Sequence, residues 1–122
     1  EVILVVDDEF QVRQMSAESL RELGYTVVEA ANGTEALDVI ANRDDISMLF
    51  TDIVMPGING RELADKVREC APDMPILFTT GYTRDTTFQD GMVDRGVVLL
   101  SKPFNMEQLA QKIRQVLDGQ TV

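Results

Sequence analysis

Met48-Leu49-Phe50-Thr51-Asp52-Ile53-Val54-Met55-Pro56-Gly57 is the stretch on which the reading of this chain turns. An apolar run of strand length ends on one carboxylate, and Met-Pro-Gly turns the backbone away behind it. The run shows no polar alternation and is too short for a helix, so it reads as a strand buried on both faces of a parallel sheet. Asp52 is not there for packing, because an ionised carboxylate buried without partners costs several kcal/mol. It is therefore expected at a wet or metal-filled rim of the sheet.

Outward from this strand the same pattern repeats. Val2-Ile3-Leu4-Val5-Val6 is an unbroken branched apolar run, hence a central parallel strand, and it ends on Asp7-Asp8-Glu9. Val12, Met15, Ser16, Ser19, Leu20 and Leu23 then follow a roughly 3.6-residue period, with Gly24 placed to end the helix. Tyr25-Thr26-Val27-Val28-Glu29 is a second, more exposed strand, and Asn32-Gly33-Thr34-Glu35 opens a short helix carrying Ala36, Leu37 and Ile40. Beyond Asp52, Asn59 with Glu62 three places on signals a capped helix whose buried stripe is Leu63, Val67 and Cys70. Pro72 and Pro75 end it and lead into Ile76-Leu77-Phe78-Thr79, closed by Thr80-Gly81. Residues 82–96 give a poor helical signal, confined to 84–90. Val97-Val98-Leu99-Leu100 is a fifth strand ending on Ser101-Lys102-Pro103-Phe104. Asn105 with Gln108 then caps a last helix whose inner face is Leu109, Ile113, Val116 and Leu117. Met48, Met55, Phe10, Phe50 and Phe78 are expected to pack in the core, and Cys70 to be a buried, inert thiol.

Five strands alternating with five helices in 122 residues predict a single doubly wound α/β domain over 1–122, its fourth helix weak. The strand order 2-1-3-4-5, flavodoxin-like, suits five strands and puts the switch point between the first and third. Ligands bind beyond the carboxyl ends at such a point, where Asp7, Asp8 and Asp52 lie. Parallel neighbours are about 4.8 Å apart. Like charges there repel by about 4 kcal/mol at about 4 Å and an effective dielectric of about 20. A proton or a hard divalent cation must offset this. The chain has no His, so oxygen ligands favour Mg²⁺, Ca²⁺ or Mn²⁺ over zinc, and an open octahedral site favours Mg²⁺. With Lys102 and Thr80 also at strand ends, the set suits phosphoryl transfer: Asp52 as nucleophile, Lys102 neutralising charge, Thr80 donating a hydrogen bond.

Composition narrows the partners. A net charge of −10, from 21 acidic and 11 basic residues, argues against direct nucleic-acid binding, since phosphate repulsion replaces the counterion release that drives it. No apolar run approaches the about 20 residues that cross a bilayer. The single cysteine cannot form an internal disulfide, and a cytoplasmic setting is expected. No signal peptide or targeting tail is legible, and a chain opening on Glu1 instead of Met is expected to be part of a larger product.

Asp7-Asp8, Asp52 followed by Met55-Pro56-Gly57 and Gly60, Thr80-Gly81, and Lys102-Pro103-Phe104, in this order and spacing, resemble the receiver domain of bacterial two-component response regulators. Within that family the chain is most similar to receivers of hybrid sensor histidine kinases, on Thr80-Gly81-Tyr82 and residues 99–104. The resemblance implies that Asp52 accepts a phosphoryl group from the phosphohistidine of a sensor histidine kinase or phosphotransfer protein. It implies Mg²⁺ on Asp8, Asp52 and the Val54 carbonyl, with Asp7 acting through water, and a cis peptide bond at Lys102-Pro103. It further implies Thr80 as the switch, an output domain or protein as the downstream partner, and at most a weak homodimer. Leu99 stands where the family carries an aromatic coupled to the switch threonine. Val54 and Tyr82 offer neither carboxylate nor amide to orient a water, so the phosphoryl group is expected to be lost slowly. Such a domain catalyses its own phosphotransfer and is not a turnover enzyme. Two alternatives stand beside it: a degenerate receiver that binds partners without phosphorylation, and a haloacid-dehalogenase-type phosphatase, whose Asp-x-Asp motif after the first strand is missing here.

Overall fold

Runs of Val, Ile, Leu and Phe with no polar alternation form the inner strands, as expected of a sheet covered on both sides. A computed structural model describes residues 1–53, 57–72, 74–80, 98–101 and 105–117. In it β1 (Val2–Val6), β2 (Thr26–Ala30), β3 (Ile46–Asp52), β4 (Ile76–Thr80) and β5 (Val98–Ser101) form one sheet in the order β2-β1-β3-β4-β5. All its neighbours are parallel. This is the predicted order. The helix expected over 84–90 lies outside the described residues, so the described helices are α1 (Phe10–Glu22), α2 (Gly33–Asn42), α3 (Gly60–Cys70) and the last one, here α4 (Met106–Leu117).

The sheet sorts its side chains by parity into two cores. On one face Leu4, Val6, Leu49, Ile76 and Phe78 meet Ala36 of α2 and Leu63, Ala64 and Val67 of α3. On the other, Ile3, Val5, Met48, Phe50 and Leu77 meet Leu20 of α1 and Leu109, Ile113 and Val116 of α4. Cutting one fully buried member back, such as Leu63→Ala, removes about 2–5 kcal/mol of stability.

Helix ends follow their local sequence. Asn32 accepts from the Glu35 amide at 2.8 Å and Asn59 from the Glu62 amide at 2.8 Å; the Glu62 carboxylate returns the bond to the Asn59 amide at 3.1 Å. Asn105 and Gln108 exchange the same pair of bonds. At the end of α1, Gly24 takes φ +101°, and the amides of Gly24 and Tyr25 bond to the carbonyls of Arg21 and Leu20, a Schellman turn that needs a residue tolerant of positive φ.

Three packing expectations are corrected. Met15 is 69% exposed and Phe10 60% exposed, because α1 turns Ser16, Ala17 and Leu20 inward. The small Ser16 and Ala17 let the helix backbone approach the sheet, and that rotation carries Met15 outward. Cys70 is exposed, not buried: it is the last residue of α3, beyond the buried Leu63, Ala64 and Val67. Met48, Phe50 and Phe78 are in the core as expected, and Met55 lies outside the described residues.

Candidate functional site: an acidic cluster at the carboxyl ends of β1 and β3

Register brings the acidic residues together. Val6 of β1 pairs with Thr51 of β3, so the next residues, Asp7 and Asp52, leave adjacent strands side by side. Asp8 follows on the loop into α1. One carboxylate oxygen from each of Asp7, Asp8 and Asp52 lies within 4.8 Å of the others. Asp7 is buried, Asp52 half-buried and Asp8 exposed, so the cluster opens to solvent on one side.

Backbone donors hold two of these side chains. Asp7 Oδ1 accepts from the Glu9 amide at 3.0 Å, and Asp52 Oδ1 accepts from the Ile53 amide at 2.8 Å. Each bond fixes one carboxylate oxygen beside the cluster. The backbone around Asp52 is held in turn: Thr51 Oγ1, fully buried, donates to the Asp52 carbonyl at 2.9 Å, and the Gly60 amide donates to the Ile53 carbonyl at 2.7 Å. Gly60 lies so close under this turn that a side chain would run into the Asp52 carbonyl oxygen and lie 2.8 Å from the Ile53 Cα. Gly57, at φ +74°, makes the turn between them. Sequence reading gave Gly60 only as part of a motif; its contact with the Asp52 backbone is a product of how α3 docks.

The described donors are all hard oxygens. Around an octahedral Mg²⁺ with bonds of about 2.1 Å, ligand oxygens stand about 3 Å apart when adjacent and about 4 Å when opposite, so a cluster of this size is on the scale that closes on such an ion. Asp8, the exposed member, is in reach of solvent. Thr80 ends β4 and pairs with Ser101 at the end of β5, which puts the residue before Lys102 on the same edge of the sheet. Val54, Lys102 and Tyr82 lie outside the described residues, as does the Lys102-Pro103 bond.

Asp7, Asp8 and Asp52 thus lie together at the carboxyl ends of β1 and β3, and comparison with known proteins agrees on the family to which such a domain belongs. The family model described as response regulator receiver domain matches residues 3–114. The sensor kinase CckA of Brucella abortus (strain 2308) is 34% identical over 119 residues, which is 97% of this chain and 13% of that protein. The response regulator receiver protein CpdR of the same strain is 35% identical over 94% of this chain and 95% of its own length. Among solved structures, the receiver domain from the hybrid histidine kinase CckA superposes with a TM-score of 0.78 at 36% identity, covering 96% of this chain and 99% of that one. The chain thus spans a small part of one relative and nearly all of another. Fold, acidic cluster and these likenesses agree: the chain belongs to the response regulator receiver domain family, the phosphoacceptor module of two-component systems.

Proposed function

We propose that Asp52 is the phosphoacceptor, taking its phosphoryl group from a phosphohistidine on a histidine kinase or phosphotransfer protein in a Mg²⁺-dependent reaction. The observation that carries this reading is the convergence of Asp7, Asp8 and Asp52 at the carboxyl ends of neighbouring strands. A carboxylate oxygen of Asp52 attacks phosphorus, forming an O–P bond as the N–P bond breaks and its electron pair returns to the imidazole nitrogen. Asp7 and Asp8, with Asp52, would hold the metal. When bound, Mg²⁺ offsets the charge of three carboxylates and of the phosphoryl oxygens. By the family resemblance, the Val54 carbonyl adds a ligand, the Lys102 ammonium steadies the phosphoryl group and the Thr80 hydroxyl donates to it. Positioning and charge compensation supply most of the catalysis, as in phosphoryl transfer generally.

The test is incubation with acetyl phosphate and Mg²⁺ followed by intact-mass measurement. The parent is expected to gain the mass of one phosphoryl group, and Asp52→Asn none. An adduct that persists in Asp52→Asn moves the acceptor elsewhere. No adduct in a folded, Mg²⁺-bound parent favours a binding module that works without phosphorylation.

A further inference from the structure

Arg13 grips the acidic loop by its backbone, at the Asp7 carbonyl. It lies one turn into α1 on the inward face, in line with Ser16, Ala17 and Leu20, and its side chain is 13% exposed. Its Nη1 donates to the Asp7 carbonyl oxygen at 2.8 Å, and its Nε to Glu29 Oε1 on β2 at 3.2 Å. The guanidinium carbon stands 5.3 Å from the centroid of the Phe10 ring. Carbonyl, carboxylate and ring approach the planar fork from three directions, a geometry that an ammonium does not reproduce.

The Asp7 carbonyl belongs to the peptide plane that joins Asp7 to Asp8, so a bond to it sets how Asp8 leaves β1. The same loop is tied by the Asp7 amide to the Ala30 carbonyl at 3.3 Å and by the Glu9 amide to Asp7 Oδ1, neither of which reaches the Asp7 carbonyl. Glu9, at the N-cap of α1, makes no side-chain capping bond, and the first turn has no acidic residue, whereas α2 and α3 are capped by Asn32 and Asn59. We infer that Arg13 is a positioning residue for the acidic cluster: braced by Glu29, it fixes the Asp7–Asp8 peptide so that both carboxylates aim at Asp52. This rests on the reading of the cluster as the metal site.

Two effects of removing Arg13 oppose each other, and their signs separate them. As a bare positive charge near a cation site it would weaken Mg²⁺ binding, and its loss would tighten it. As a positioner its loss loosens binding. Positioning dominates because the Glu29 carboxylate, at 3.2 Å, already offsets the guanidinium charge. Arg21, which reaches the same Glu29 at 3.4 Å and the Val27 carbonyl, is the internal control.

The experiment is calorimetric titration of Mg²⁺ into the parent, Arg13→Gln, Arg13→Lys and Arg21→Gln, each checked for native amide spectra. Arg13→Gln is expected to weaken Mg²⁺ binding about tenfold, the scale seen when groups behind metal ligands are lost. Arg13→Lys, which keeps charge and fold but not the fork, recovers only part of this, and Arg21→Gln binds as the parent does. Binding by Arg13→Gln equal to or tighter than the parent overturns the inference, as does an equal loss in Arg21→Gln. A parent that takes up no Mg²⁺ defeats the metal reading itself and the inference with it, whereas a parent that binds beside an Asp8→Asn variant that does not leaves the comparison at Arg13 decisive.

Discussion

The two ends of β3 hold carboxylates in opposite circumstances. At the amino end Asp45 sits in water and meets Arg43 twice, Nε to Oδ1 at 2.9 Å and Nη2 to Oδ2 at 2.8 Å. That bond and charge hold the Asp45 carboxyl below the usual carboxylate range. At the carboxyl end Asp52 faces two further carboxylates instead. The amino-end pair is local, two residues apart, beside a groove lined by Ile40, Ile46, Met74 and Pro75. The carboxyl-end group is assembled from different parts of the chain and concentrates like charge, which helps folding little and suits a cation and a phosphoryl group well. Charge at one end of the strand is settled by a neighbouring side chain; at the other three carboxylates stand together, which is what the proposed metal site would use.

Breaking the functional end comes first. Asp8→Asn is expected to lower Mg²⁺ affinity by at least about tenfold, since a ligating carboxylate counts for no less than the groups behind it. In calorimetry, unchanged affinity would mean that the cluster is not the metal site. The same substitution relieves repulsion, so in chelator the variant melts at or above the parent temperature. Gly60→Ala is next: the added methyl meets the Asp52 carbonyl and costs about 1–3 kcal/mol, read as a lower midpoint in urea, with slower phosphorylation by acetyl phosphate because the Asp52 backbone must shift. Asn59→Ala sharpens the comparison by separating stability from site geometry. Loss of the α3 cap costs about 1 kcal/mol, yet Mg²⁺ affinity stays at the parent value.

Arg43→Gln, at the other end of the strand, has the smallest effect. Asp45 is titrated from below its ordinary value, so its contribution is present above the unfolded carboxylate range and is lost as pH falls through the lowered folded value. Both partners are exposed, and thermal melts at neutral pH should superpose on the parent, any difference narrowing further in acid. A large drop in melting temperature at neutral pH would show that the two ends are not as different as their geometry says.

Much of this was legible because the signals are local. An unbroken Val2–Val6 run, the Asn-x-x-Glu and Asn-x-x-Gln starts of helices, and Gly24 past the end of α1 each report on backbone a few residues away. The convergence of the acidic residues was legible for a related reason: carboxylates at the ends of buried strands have no packing role, and neighbouring parallel strands bring their carboxyl ends to one edge. Periodicity misled where it had to choose a helix rotation. Met15 and Phe10 are apolar at plausible spacing, but α1 docks through Ser16 and Ala17, since two small residues bring helix and sheet closer than a methionine allows. The Cys70 stripe failed because helical spacing does not say at which residue the buried face of a helix ends.

By itself, then, the order of residues determined five strands, the helix caps, the parallel α/β class and the placing of Asp7, Asp8 and Asp52 at one edge of the sheet. Only the tertiary structure decided which groups stand behind them: that β1 pairs with β2 so that Val5 faces Glu29, that α1 rotates to send Arg13 inward, and that α3 sets Gly60 against the Asp52 backbone. The reason is that strand and cap signals come from the chain's own short-range chemistry. A guanidinium meeting a carbonyl and a carboxylate from three separate elements depends on registers and docking angles that only the assembled cores on both faces of the sheet select.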